Sequence, residues 1–353
     1  MNTALKSAIA KINKKLGSDT IVTADEIVDY GRVPSSSLTL DLALGGGWSV
    51  NKWHEIIGEQ SNGKTALALK TIAVNQERDP EYTTVWVAAE DWVPSHAEMC
   101  GVDQSRVHVI TTNILEEALD AVLDIVETKA VDCIVIDSLP ALLTKVEDEG
   151  DMEKQQMGTT AKQLNKFWRK VQYASKRTTD GKDRPVLGLI INQFRSKIGV
   201  MYGSPKTTPG GEGKNYHYAT RIELKKSEYL KSGKGDSAVI IGQTIKANVV
   251  KNKTAVPNQV AVFDFYFADG NGFRAGEIDY MKELIMTAKL YKVITRAGAY
   301  YSYGGGRWLG EDATIAGIRE DVDLREQLDR DVRAAVHASP TALENEESSS
   351  DEE

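Results

Sequence analysis

Residues 58–65, Gly-Glu-Gln-Ser-Asn-Gly-Lys-Thr, spell G-x-x-x-x-G-K-[ST] in full. Each residue type in that pattern has work to do at a phosphate chain. Gly58 and Gly63 let the backbone N–H groups of Glu59, Gln60, Ser61 and Asn62 close around phosphate oxygens, and the start of a following helix adds its positive end. Lys64 reaches the β and γ phosphates, and the Thr65 hydroxyl can ligate Mg²⁺. The segment lies between an apolar run, His54–Gly58, and a helical pattern, which is the strand-to-helix setting this chemistry requires.

Three more apolar runs end in a polar side chain that suits the same site. Cys133-Ile-Val-Ile-Asp137 ends in a carboxylate about seventy residues after the loop, the place of a residue supporting a Mg²⁺ shell. Many buried strands also end in Asp, and Ser138 reads only as a cap for the next segment. Val85-Trp-Val-Ala-Ala-Glu90 leads to a carboxylate that can polarise a water attacking a γ-phosphate, or can equally be a solvated loop acid. Leu189-Ile-Ile-Asn-Gln193 ends in an amide able to report a γ-phosphate, or in a plain strand terminus.

The basic residues are concentrated where such a reporter would lead. Phe194–Gly211 carries Arg195, Lys197 and Lys206 with no acid. Loops of this length are usually functional or disordered. Bases interleaved with apolar and hydroxyl groups suit a nucleic-acid backbone. Met152–Gly158 is a second, less basic candidate loop, and Lys251-Asn-Lys253 is a compact basic pair at a strand end. Surface lysine is the ordinary alternative for all three. The whole chain has 43 Lys and Arg against 51 Asp and Glu, a net charge of −8, which argues against coating nucleic acid by bulk charge. Six of those acids fall in the last eleven residues, Leu343–Glu353. Without them 43 bases face 45 acids, and the body is near neutral.

The elements that must position these groups follow from the pattern of apolar runs. Strand candidates His54–Gly58, Thr84–Ala89, Val107–Thr111, Cys133–Asp137 and Val186–Asn192 alternate with helical stretches Gly63–Asn75, Leu115–Thr128 and Lys154–Ser175. This order predicts an α/β core with a mostly parallel sheet flanked by helices. Thr220–Lys225, Thr244–Val250 and Val260–Phe267 read as an antiparallel extension. Residues 3–16 read as a basic amphipathic helix, packed either on its own domain or as an arm on another subunit. Beyond Ala268–Gly272, helices at Gly276–Leu290 and Ile315–Val336 enclose an aromatic hairpin, Tyr300–Trp308, in a small α+β unit. The expected units are residues 1–32 (N-terminal helix and linker), 33–269 (phosphate-loop core), 270–338 (C-terminal unit) and 339–353 (disordered acidic tail). Two unpaired cysteines, the absence of a bilayer-length apolar run and a non-signal N-terminus predict a cytoplasmic protein with no membrane role.

Together these residues resemble the RecA family of bacterial and phage-type recombinases, from about Ala4 to Val336. Besides the phosphate loop, the matching segments are Ser37–Gly45, Val135–Ser138, Ile191–Gly203, Val249–Pro257 and Ala297–Tyr303. The resemblance implies a RecA-like core and a DNA-dependent ATPase, with residues 1–32 an oligomerisation element and 33–269 the ATPase core. Such a protein forms helical filaments on single-stranded DNA and exchanges strands with a homologous duplex, using ATP and Mg²⁺. It implies phosphate and metal binding by Lys64, Thr65 and Asp137, Glu90 as general base and Gln193 as γ-phosphate sensor. It implies DNA contact by Met157 and Gly158 in one loop. In the other it implies contact by Arg195, Ser196, Lys197, Ile198, Gly199, Val200, Met201, Lys206, Thr207, Thr208, Gly210 and Gly211. Lys251 and Lys253 would reach the neighbouring subunit's ATP, with Tyr216 and Arg221 at the same interface.

The chain departs from the family in four places. Asp91-Trp-Val-Pro-Ser-His96 lacks the usual base-contacting Asp and Tyr, leaving Trp92 or His96 to stack on adenine. Asn215 stands where the family has lysine, with Lys214 one residue off. Lys176–Arg184 is an insertion on a surface turn. The loop reads Glu-Gln-Ser-Asn rather than Pro-Glu-Ser-Ser. The alternatives to a recombinase are a nucleotide-gated, non-catalytic assembly protein and a ring helicase motor with a related core.

Overall fold

Alternation of apolar runs with amphipathic stretches produces one eight-stranded sheet covered on both faces, as seen in a computed structural model that describes residues 3–16, 20–27, 29–150, 158–175, 184–196 and 206–338. In chain order the N-terminal part comprises α1 (Thr3–Leu16), β1 (Arg32–Val33), α2 (Leu38–Leu44), β2 (Trp48–Ser49), β3 (Lys52–Gly58) and α3 (Lys64–Arg78). There follow β4 (Thr84–Ala88), α4 (Pro94–Met99), β5 (Val107–Ile110), α5 (Leu115–Thr128), β6 (Cys133–Asp137), α6 (Lys145–Asp148), α7 (Thr159–Ala174) and β7 (Leu187–Asn192). The core closes with β8 (Arg195–Ser196), β9 (Lys206–Thr207), β10 (Thr220–Ser232), β11 (Val239–Asn252) and β12 (Gln259–Tyr266). The C-terminal unit has α8 (Tyr280–Leu290), β13 (Thr295–Ala297), β14 (Tyr300–Tyr303), β15 (Gly306–Leu309), α9 (Glu311–Glu320) and α10 (Val322–Ala338).

The sheet order is β12-β11-β10-β3-β7-β6-β4-β5. Period-two side-chain alternation explains why the central strands are apolar throughout. On β6, Cys133 and Val135 join one core with α2 and α3, while Ile134 and Ile136 join the other with α5 and α7. Because β3, β7, β6, β4 and β5 are parallel, their carboxyl ends fall on one edge. That edge is where ligands of such sheets bind.

The expected antiparallel extension needs correcting at its first strand. Residues Thr220–Leu224 of β10 run parallel to His54–Gly58 of β3, and only β11 and β12 are antiparallel. The β10–β11 hairpin also runs well past Lys225, through exposed residues with bulges. Backbone pairing, rather than an apolar face, carries it there.

The predicted helix at 315–336 is two helices. The Asp321 carboxylate accepts the N–H of Leu324 at 3.0 Å and so caps the start of α10. Leu284, Ile285, Ile318, Leu328 and Val332 form a third core, which reaches back to Leu38 on α2. At that seam Glu283, buried on α8, accepts hydrogen bonds from Ser37 Oγ (2.5 Å), Thr39 Oγ1 (2.7 Å) and the N–H groups of Thr39 and Leu38.

Helix α1 forms as predicted, but none of its residues is buried, and Leu5 and Leu16 are more than half exposed. No described helix is long and apolar enough to cross a membrane.

Candidate active site

Four strand ends supply the site. From β3 the chain turns through Gly58–Gly63 into α3, with Gly63 at φ +82° as the residue before the helix. A side chain on Gly63 would also meet Ile245 Cδ1 at 2.6 Å, so glycine is required there. The loop is braced from behind: Asn62 Nδ2 donates to the Leu224 carbonyl (3.0 Å) and Gln243 Nε2 to the Ser61 carbonyl (3.2 Å). Lys64 Nζ folds back to donate to the Glu59 carbonyl at 2.7 Å, which sets the ammonium against the loop. Burial holds that ammonium below the usual lysine range, while Asp137 and Glu90 act in the opposite sense.

Thr65 and Asp137 meet as the motif requires, with Thr65 Oγ1 donating to Asp137 Oδ2 at 2.8 Å. Asp137 is 6% exposed. Burial lifts its carboxyl to about 6, against the Thr65 bond and Lys64, with the Glu90 charge adding to the rise. A buried carboxylate with only partial cation support, beside a free hydroxyl lone pair, is the donor set that a hard divalent cation fits.

Glu90 follows β4 and is fixed from two sides. Its N–H donates to the Asp137 carbonyl (3.0 Å), and its Oε1 accepts from Ser138 Oγ at 2.5 Å. Ser138 does stand at the N-cap of the turn Leu139–Ala141, as expected, but its side chain makes no cap bond there and orients Glu90 instead. Gln193 Nε2 reaches the same Oε1 at 3.4 Å, and Arg195 Nη1 reaches Gln193 Oε1 at 3.5 Å. The strand-end amide therefore stands between the carboxylate and the first base of the basic loop. Trp92 packs edge-on to Trp86 at 5.2 Å and donates to Gln104, so its ring belongs partly to the core. His96 sits half-buried on α4, and burial lowers its pKa.

The basic loop is closed at its neck by the β8–β9 ladder, Arg195 opposite Thr207 and Ser196 opposite Lys206. Lys197, Ile198, Gly199, Val200 and Met201 lie outside the described residues, as do Met157, the 176–183 insertion and the acidic tail. Gly158, at φ +88°, precedes α7.

Two residues expected to touch DNA are also held against the core. Thr208 is 7% exposed, and its hydroxyl accepts from Lys214 Nζ at 2.6 Å. Gly210, at φ +95°, lies where a Cβ would strike Leu164 Cδ1 of α7 at 2.6 Å. Both anchor the loop's far end. The Lys214 bond holds Thr208 and α7 lies against Gly210, neither of which spacing in the sequence reveals.

Lys251 and Lys253 lie elsewhere. Asn252 pairs with Thr220, and Thr220 with His54, so the two lysines sit beyond the amino-terminal half of β3. Their ammonium groups donate to carbonyls of the 215–218 turn: Lys251 to Asn215 and Tyr218, Lys253 to Tyr216. Burial, then Lys253 and Arg221, push Lys251 down to about 8. Tyr216 is 77% exposed beside them. Arg221 places its Nε on Glu55 Oε2 at 2.6 Å and leaves part of its side chain exposed beside Tyr216's turn. Lys214 is turned inward and buried, so it does not replace the missing lysine at position 215.

Sequence reasoning missed Glu55 and Asn192, and read Lys214 only as a base displaced from position 215. The available signal was a charged residue inside an otherwise apolar strand, Trp53-His-Glu-Ile-Ile57.

A mixed sheet with this loop, a strand-end carboxylate paired to its threonine and a second carboxylate one strand away define a phosphate-loop nucleotide-binding protein. The sequence model of the RecA N-terminal domain matches residues 3–272. Protein RecA of Lactobacillus delbrueckii subsp. bulgaricus is 34% identical over 98% of this chain and 89% of its own length. Those of Aquifex pyrophilus and Francisella tularensis subsp. novicida are each 35% identical, over 94% and 93% of this chain and 91% and 88% of theirs. The chain belongs to the RecA family of recombinases, the DNA-dependent ATPases.

Proposed function

We propose that this protein binds ATP with Mg²⁺ at the loop 58–65 and hydrolyses it with Glu90 as general base. In this reading it assembles head to tail on single-stranded DNA and pairs that strand with a homologous duplex in the cytoplasm. Lys64 and the loop N–H groups hold the phosphates, and His96 flanks adenine. Mg²⁺, held by Thr65 and supported by Asp137, would supply charge neutralisation on the phosphates. Glu90 takes the proton of a water. Its orientation is set beforehand by Ser138 Oγ on Oε1, which leaves Oε2 for that water. Gln193 has an amide already between Glu90 and Arg195, so a change at the phosphates reaches the loop 194–211 by a short path.

The observation that carries this reading is the meeting of Glu90, Ser138, Gln193 and the Thr65–Asp137 pair at one sheet edge. The position of Lys251 and Lys253 supports assembly. They lie about 13 Å from Gly58 along the strand direction, given roughly 3.3 Å per residue over the four residues from His54. A lysine there serves a nucleotide only on another copy. A contact of that kind is head to tail rather than two-fold, so it builds a ring where its rotation closes and an open filament, the assembly proposed here, where it does not. The exposed apolar positions of α1 suit an arm onto the next copy. The units 1–32, 33–269, 270–338 and 339–353 divide this work, with the acidic tail competing with DNA for basic surfaces.

The test is ATP turnover with and without single-stranded DNA. DNA should raise turnover strongly, and Lys64→Ala and Glu90→Gln should abolish it. Turnover indifferent to DNA would overturn the reading, and a Glu90→Gln variant as fast as wild type would remove Glu90 as the base.

A further inference from the structure

Strand β3 carries one acid, Glu55, whose side chain has no exposed surface. Three donors converge on it. Asn192 Nδ2 (2.8 Å) and Lys214 Nζ (3.1 Å) share Oε1, and Arg221 Nε (2.6 Å) takes Oε2. Lys214 is equally buried, and its other bonds go to Thr208 Oγ1 (2.6 Å) and Asn215 Oδ1 (3.1 Å). Asn192 Oδ1 in turn accepts the N–H of Gln193 at 2.9 Å. A continuous path therefore runs Gln193–Asn192–Glu55–Lys214–Thr208. One end faces Glu90; the other is the inward anchor of the basic loop.

Two features argue that this path does more than hold the fold. A buried ion pair contributes little net stability compared with a packed apolar pair, because desolvation offsets the attraction. Its members are nonetheless costly to leave half-satisfied, so the network favours complete arrangements over intermediate ones. A cavity of about 270 Å³ also opens beside it, lined by Phe194, Thr207, Thr208, Asn215 and Arg221, and gives the loop's base room for a second arrangement.

We propose that Glu55 and Lys214 are positioning residues that link the nucleotide-sensing end of β7 to the DNA loop, so that nucleotide state and DNA affinity are coupled through one buried ion pair. The proposal rests on the reading of Gln193 as phosphate reporter and of 194–211 as a DNA-binding loop. By linkage the effect is reciprocal: whatever DNA does for ATP over ADP, ATP does for DNA.

The experiment measures fluorescence anisotropy of a labelled single-stranded oligonucleotide with the full chain, in ADP and in a non-hydrolysable ATP analogue. The readout is the ratio of the two DNA affinities. Wild type should favour the ATP analogue by about 5–150-fold, the usual span of such couplings. Lys214→Met breaks the path yet leaves Glu55 paired with Arg221, so no lone charge is buried. The ratio should fall to near one, with DNA-free nucleotide affinity and thermal melting close to wild type. If that variant melts early, the double variant Glu55→Gln with Lys214→Met removes both buried charges and should show the same collapsed ratio. An unchanged ratio in the folded variant overturns the proposal. So does an equal loss of DNA affinity in both nucleotide states, which would mark the pair as structural only. A wild-type ratio of one would instead overturn the underlying reading of Gln193 and its loop.

Discussion

Ser138 Oγ donates to Glu90 Oε1 at 2.5 Å, and the two residues come from the ends of neighbouring strands 48 positions apart. A hydroxyl holding one carboxylate oxygen fixes which oxygen remains for a water. Hydrogen bonds to charged groups are worth about 1.5–3 kcal/mol. Ser138→Ala should therefore slow turnover roughly 10–100-fold with nucleotide affinity little changed, since Ser138 does not reach the loop 58–65. Steady-state kinetics beside a nucleotide-binding titration checks this. A raised KM with unchanged kcat would place Ser138 in binding instead.

Gln193 lies between Glu90 and Arg195 at the outer limit of hydrogen bonding, 3.4 and 3.5 Å. Bonds this long are weak, which suits a residue that exchanges partners. Gln193→Ala should keep DNA-free turnover within a few-fold of wild type and lose the stimulation by DNA. Arg195→Ala should weaken DNA binding and flatten its salt dependence by about one unit of slope, the loss of one phosphate contact. A slope identical to wild type would move Arg195 off the DNA.

Lys253 and Glu90 sit toward opposite ends of the parallel strands, so one active site would take them from different copies. Lys253→Ala and Glu90→Gln should each be inactive alone. When the copies mix at random in a head-to-tail polymer, about a quarter of contacts join an intact Glu90 to intact lysines. A mixture should regain activity on that scale, and ATPase assays of premixed variants measure it. A mixture as dead as its parts would put the lysines outside catalysis.

The sheet edge that gathers Thr65, Asp137, Glu90 and Gln193 was legible in the sequence because such groups sit at strand ends. Apolar runs ending at Gly58, Asp137 and Asn192 locate those ends, and a parallel order places them on one side. The buried polar path was not legible. Lys214 and Glu55 are 159 residues apart, and spacing does not say which way a lysine in a turn will point. Lys214 looked like a base shifted from an interface position, and Thr208 like a loop hydroxyl free for DNA. Both are buried and bonded to each other, and Lys214 also to Glu55. The β10–β11 hairpin outran its apolar pattern for a related reason. Past Lys225 it is held by backbone pairing, which leaves no signature in side-chain periodicity.

Glu283 carries the clearest dependence on pH away from the nucleotide site. It joins α8 to the start of α2 through Ser37, Leu38 and Thr39, and no cation pairs with it among the described residues. Burial raises its carboxyl to about 7, against those hydrogen bonds. Between an ordinary carboxyl pKa near 4.5 and this value, the folded protein holds a proton that the unfolded chain has lost. Stability from this group is thus complete below about pH 4.5, falls as pH rises and levels off above about 7. Each unit of displacement is worth about 1.4 kcal/mol, so the loss is on the order of 3–4 kcal/mol. Glu283→Gln imitates the protonated form and should melt with a flatter profile between pH 5 and 7.5 than wild type, gaining on it toward the upper end. Parallel profiles for the two proteins would mean that Glu283 stays ionised at this seam, with hydrogen bonds that outweigh its burial.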